Sequence, residues 1–301
     1  MQSPYFTAQT VQKEQGIIGQ EIRMYDDSPS WRVMFNMLRE MYTSHPVRID
    51  IAGTVESIAE ITDDLLYKCY NTFYNPSNMF LCIAGNFDAG KALEHIEKGV
   101  RESEPVSIER GEFSEGDGVH SNYIEQQLDV ALPMFCYGFK QKITSPQRSL
   151  KTKLCIELVC GEASPLYARL IRQGLINDEF ETEYFTGHGY AAVIFEGESR
   201  DPERVAEEIR AELRRIKEDG IDKKQFSAAK CSLYGEAIRR FDSVNDIGTQ
   251  LVECAITGNG LFDELKLLKA LTPDSIMKRL GSFDEKASVL SVIKPRNNTE
   301  E

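Results

Sequence analysis

The sequence predicts an α+β fold made of a duplicated unit, with helices packed on one face of a mostly antiparallel sheet and the first copy incomplete. Three observations point there. Long segments of helical periodicity dominate, while strand-like runs are short and few. The order long helix, break, helix, capped helix, strand occurs twice. In the second occurrence about 100 residues of strands and helices come first, and the first occurrence has no such front portion.

The first copy opens with a helix over residues 8–25. The separator "DDSPS" then places Pro29 where a new helix can begin, and that helix runs from Ser30 to about Thr43. After the loop "HPVRIDIAGT", Thr62 is set to cap a helix whose apolar positions are Leu65, Leu66, Cys69, Tyr70 and Phe73. "NPSNMFLCIAGNFD" breaks that helix and supplies a strand at Met79 to Gly85.

The second copy begins with strand-forming residues in "NYIEQQLDVALPMFCYGFK" and a buried helix in "SLKTKLCIELVCG". "FETEYFTGHGYAAVIFEGES" reads as two strands turning at Gly187 to Gly189. Asp201-Pro202 starts a helix with Val205, Ile209, Leu213 and Ile216 on one face, ended by Gly220. A long helix, a break at Asp242-Ser243 and a further helix follow. Thr272 and Pro273 then open another helix, and "ASVLSVIKP" closes as a strand. A shift of 215 carries Asp27-Ser28 onto Asp242-Ser243 and Glu21 onto Glu236; a shift of 210 carries Thr62 onto Thr272. The expected organisation is the carboxyl-terminal part of a first domain at 1–104, an acidic linker at 105–121 and a second domain at 122–301.

Composition narrows the function. A net charge of −13 argues against nucleic acid as a partner. No apolar run is long enough to span a membrane, and "MQSPYFTAQT" lacks the features of a secretion signal. Seven irregularly spaced cysteines, several in apolar runs, fit reduced thiols and a cytoplasmic location. His45, beside Pro46, and His188, between two glycines, read as turn or packing residues. Cys155 and Cys160, like Trp31, Val33, Met34, Met37 and Leu38, read as core. Ser164 lies in no nucleophile motif.

The candidate chemistry lies in "VQKEQGIIGQEI". Glu14 and Glu21 are two helical turns apart, on one face and about 10 Å apart along the axis. Gly16 and Gly19 between them lower helix propensity, so the segment was not selected for helicity alone.

"GIIGQEI", "HPVRIDIAGTVESIAEIT", "FYNPSNMFLCIAGNFD" and "SPLYARLIRQGLIND" resemble the pitrilysin, insulinase and mitochondrial processing peptidase family, in its YmfH-like bacterial branch. The resemblance implies a zinc-dependent metallopeptidase whose duplicated domains form half of a clamshell chamber. In that family two histidines and a catalytic glutamate come from an inverted H-x-x-E-H helix, and a glutamate on a later helix completes the metal site. Carried over, Glu21 is the third zinc ligand and Glu14 its acidic support. The four histidines here, His45, His95, His120 and His188, form no H-x-x-E-H, so the chain alone is expected to hold no zinc and to be an inactive, truncated part of the enzyme. The family's substrate-binding Arg and Tyr, seven residues apart, are also missing: Glu179 stands seven beyond Arg172. The resemblance therefore implies a peptide substrate and either a paralogous partner subunit or a homo-oligomer. The alternative is a non-catalytic peptide-binding or scaffold subunit of a heterodimer.

Overall fold

The computed structural model describes residues 2–142 and 145–296. It is an α+β chain, and its helices follow the order of the repeat, whereas the strand expected to close the first copy does not form among the described residues. Helices α1 (Ala8–Asp26), α2 (Pro29–Met41), α3 (Val55–Ala59), α4 (Asp63–Phe73) and α5 (Ala89–Gly99) come first. Strands β1 (Tyr123–Leu128) and β2 (Met134–Gln141) precede α6 (Pro146–Cys160) and α7 (Pro165–Arg172). The hairpin β3 (Glu181–Gly187) and β4 (Tyr190–Glu198) leads to α8 (Pro202–Asp219), α9 (Lys223–Arg239) and α10 (Val244–Thr257). Helices α11 (Asp263–Ala270) and α12 (Pro273–Leu280) and strand β5 (Ser288–Pro295) close the chain.

The shift of 215 carries the first residue of α1 onto that of α9, and Pro29 of α2 onto Val244 of α10. Local chemistry sets these boundaries. Pro29 and Pro273 each stand at the start of a helix, where a missing N–H costs nothing. Thr62 Oγ1 accepts from the Leu65 N–H, and Thr272 forms a reciprocal capping box with Ser275.

Two compact units result, and each draws on both copies. One comprises residues 23–51, 112–235 and 265–301; the other comprises 1–22, 52–111 and 236–264. The larger unit holds a five-stranded sheet in the order β1-β5-β2-β4-β3, antiparallel except where β1 runs parallel to β5. Helices α6, α8 and α12 cover one face, where Phe139 packs edge-on against Phe195 and beside Phe283, and Tyr137 lies under Arg210 of α8. The opposite face is covered by α2, a helix of the first copy. Val33, Met37, Leu38 and Met41 of α2 form one buried cluster with Cys136, Ile194, Val289 and Ile293 of the sheet. Gly138 makes this approach possible, because a Cβ there would lie 2.6 Å from Met41 Cε and 2.7 Å from Met37 Sδ.

In the smaller unit the predicted strand Met79 to Gly85 forms no ladder among the described residues. Its propensity is real, but a strand exists only where a neighbour takes up its backbone groups. Phe80 and Leu81 stand 59% and 66% exposed. A methyl group added at Gly248 of α10 would touch Ala84 Cβ, so α10 runs beside this segment. Large exposed apolar side chains concentrate in 52–111, whereas the buried core belongs overwhelmingly to the larger unit. Amide hydrogen exchange should accordingly be fast through 76–100 and slow in β2, β4, β5 and α2. Equal, strong protection of both regions in a monomer would show that the exposed segment is held by something other than packing.

Candidate functional site

Glu14 and Glu21 both lie on α1 and both are exposed, while Val11 and Ile22 are buried. The helix is fixed by Gln15, whose amide donates to the carbonyls of Ile58 (3.2 Å) and Ile61 (2.8 Å). Its equivalent in the second copy behaves differently. Glu236 is an ion-pair partner of Arg240 at 3.0 Å, and Arg240 also reaches Glu264 at 3.1 Å. Among the described residues no three His, Cys, Asp or Glu side chains are grouped to hold a metal. Glu21 with Glu14 therefore falls short of a zinc site by itself, since a catalytic zinc normally takes three protein ligands.

The other sequence candidates resolve as structural groups. His45 is buried; its Nδ1 accepts from the Val47 N–H, so Nε2 carries the proton and donates to the His188 carbonyl at 2.9 Å. That carbonyl lies in the two-residue turn His188-Gly189, where Gly189 has φ +89°. Cys155 and Cys160 are buried, and burial pushes both thiols up, away from the reactive thiolate. Arg172 ends α7 exposed.

Two features of the larger unit were not anticipated. The first is Glu115. Its carboxylate accepts from the N–H groups of Thr43 (3.0 Å), Ser44 (2.8 Å) and His45 (2.8 Å) and pairs with Lys140 Nζ at 2.8 Å. Nothing in "ERGEFSEGD" singles it out from Glu109 or Glu112.

The second is a cavity of about 1370 Å³ in the larger unit, bounded by α2, the loop after it, the start of β2 and the β3–β4 hairpin. Its apolar wall includes Trp31, Met34 and Phe35 of α2 with Met134, Phe185 and Tyr190. Trp31 is fixed there by stacking on Tyr25 (centroids 4.3 Å apart) and by donating from Nε1 to Asp50 Oδ2 at 2.8 Å. Carboxylates line it as well: Glu181 stands directly opposite Glu196 across the hairpin, and Glu198, Asp178 and Glu179 also border the cavity. Burial raises the Glu196 carboxyl, and the charges of Glu183 and Glu181 raise it further. The signal lay in the turn. Counting back from Gly187 opposite Tyr190 sets Glu181 opposite Glu196, once the turn is known to be two residues long.

The family profile of the peptidase M16 inactive domain matches residues 60–233. The Bacillus subtilis zinc protease YmfH is 35% identical over 285 residues, covering 92% of this chain and 66% of that protein. A second zinc protease of that organism, YmxG, is 23% identical over 286 residues, covering 93% of this chain and 66% of that protein. The chain thus spans just under two thirds of the length of these relatives. Among solved structures, a putative M16-like peptidase from Alicyclobacillus acidocaldarius superposes with a TM-score of 0.93 at 31% identity, covering 98% of this chain and 72% of that one. No helix among the described residues is long and apolar enough to cross a membrane. With its sequence and its fold both matching, the chain belongs to the peptidase M16 family, the family that its segments resemble.

Proposed function

We propose that this chain is part of a zinc-dependent peptidase in which Glu21 is a metal ligand and Glu14 supports it, the H-x-x-E-H residues coming from sequence outside Met1–Glu301. What carries the reading is the pair of exposed carboxylates two turns apart on α1, in a chain 35% identical to a protein named a zinc protease. Zinc, when bound, would polarise a scissile carbonyl and lower the pKa of a bound water. The contribution of this chain is a fixed anionic ligand, held on a helix whose orientation Gln15 sets, and a share of the walls of a clamshell chamber. The reading includes a cytoplasmic setting, supported by free cysteines at Cys69, Cys82, Cys136, Cys155, Cys160, Cys231 and Cys254. It also includes a paralogous subunit or a second copy as partner, since Glu179 stands where a substrate-binding Tyr would be.

In a full-length protein that carries H-x-x-E-H, Glu21→Gln should lower zinc affinity by more than the roughly 10- to 100-fold expected of an outer residue such as Glu14, and Glu14→Gln should fall within that range. Zinc titration of the wild type and both variants, with peptide cleavage measured with and without the partner, checks this. Unchanged zinc affinity in folded Glu21→Gln would remove Glu21 from the site. The second reading, a non-catalytic peptide-binding or scaffold subunit, is favoured by the profile matched, which is that of the inactive domain. A full-length sequence without H-x-x-E-H would select it.

A further inference from the structure

We propose that the cavity between α2 and the β3–β4 hairpin binds a peptide segment, taking a lysine or arginine side chain against Glu181 and Glu196 and the flanking apolar side chains against Trp31, Met34 and Phe185. The proposal does not depend on Glu21 or on zinc.

The acidic wall is the first argument. The register pairs Glu181 with Glu196 and Glu183 with Ile194, so the three carboxylates share one face of a two-stranded edge. Like charges directly opposite across a ladder destabilise a sheet, and here they repel inside a partly desolvated space. Among the described residues none of the three makes an ion pair, although the same unit neutralises Glu115 with Lys140 and Glu125 with Lys294. A bound cation would relieve the repulsion that the fold leaves standing. A metal is a poor occupant, because the described carboxylates do not converge into a ligand set.

The second argument is the apolar lining beside these carboxylates. Aromatic and thioether side chains of Trp31, Met34, Phe185 and Tyr190 present apolar surface and π-faces within the same cavity. That combination suits a long aliphatic stem ending in a cation, and the apolar residues beside it in a peptide. Size is the third argument. About 1370 Å³ exceeds the roughly 300–1,000 Å³ typical of a small-molecule pocket and leaves room for several residues.

The chain contains one tryptophan, and it lines the cavity, so Trp31 emission reports occupancy directly. The probe is a peptide of alternating leucine and arginine, titrated into the chain while Trp31 fluorescence and the anisotropy of a peptide label are followed. A saturable change in both is expected. Replacing arginine with citrulline, or leucine with serine, should weaken binding at least 10-fold. The double variant Glu181→Gln, Glu196→Gln should also bind at least 10-fold more weakly, with a melting temperature equal to or above that of the wild type, because a repulsion has been removed. Glu97→Gln with Glu102→Gln, exposed and in the other unit, should leave affinity unchanged and so exclude a bulk effect of net charge. Equal binding of the citrulline peptide, wild-type affinity in the Glu181/Glu196 double variant, or binding without a Trp31 response would each overturn the proposal. Should the double variant fail to fold, the two peptide substitutions on the wild type decide the matter alone.

Discussion

Glu115→Gln is expected to destabilise the larger unit by about 3 kcal/mol, as much as breaking a buried ion pair typically costs. The Glu115 and Lys140 side chains are each only 7% exposed. Gln keeps the shape but removes the charge that balances Lys140, which would retain only the Gly118 carbonyl at 2.7 Å and the Tyr42 ring. Three backbone N–H groups at residues 43–45 would also lose a charged acceptor. The effect carries its own pH signature. Burial alone would raise the carboxyl, but Lys140 and the three backbone donors outweigh it and hold the group at about 2, against an ordinary 4.5. The folded chain therefore binds fewer protons at this site than the unfolded chain. Its stabilisation is complete above about pH 4.5 and drains away as the pH falls toward 2. Urea unfolding should show the wild type and Glu115→Gln far apart at pH 7 and converging near pH 2. A constant gap across that range would mean the loss is one of packing rather than charge.

Leu38→Ala is expected to cost about 2–5 kcal/mol, in the range for a buried leucine whose surroundings cannot collapse. Leu38 is 1% exposed, within the cluster that α2 forms with β2, β4 and β5. Its neighbours sit on strands locked by ladders on both sides, so the void left by the side chain has little means of closing. Leu81→Ala is the matched control. Leu81 is 66% exposed, and its loss should move stability by less than about 0.5 kcal/mol. Urea midpoints followed by the near-ultraviolet signal of the sheet's aromatic residues would separate the two. If Leu38→Ala costs no more than Leu81→Ala, α2 does not hold that face of the sheet.

Much of the local structure was legible because its causes are local. Thr62, Thr272, Pro29 and Pro273 act within one helical turn, and each stands where the sequence put it. Apolar spacing in α2 showed that Val33, Met37 and Leu38 needed covering, but periodicity cannot say which sheet covers them. That partner comes from the other copy, a long-range fact with no local trace. Met79 to Gly85 shows the reverse case, with strand composition but no ladder among the described residues. Of the candidate sites, spacing alone set the α1 carboxylates on one helix face, since both lie on one element, and it was the family resemblance that singled them out. The acidic wall lies on two strands, and seeing it required the length of one turn. Glu115 acts on backbone groups some seventy residues earlier, where no pattern reaches.

The covering of the sheet by α2 also fixes an order of events during synthesis. The ribosome releases Pro29–Met41 early, but β5, at the centre of that contact, emerges only after Ser288. At roughly 5–20 residues per second β2 and β4 follow α2 sooner, but β5 arrives only on the order of ten to fifty seconds after it. A ribosome stalled before Ser288 therefore leaves the larger unit without the strand at the centre of its sheet, with the apolar stripe of α2 incompletely covered.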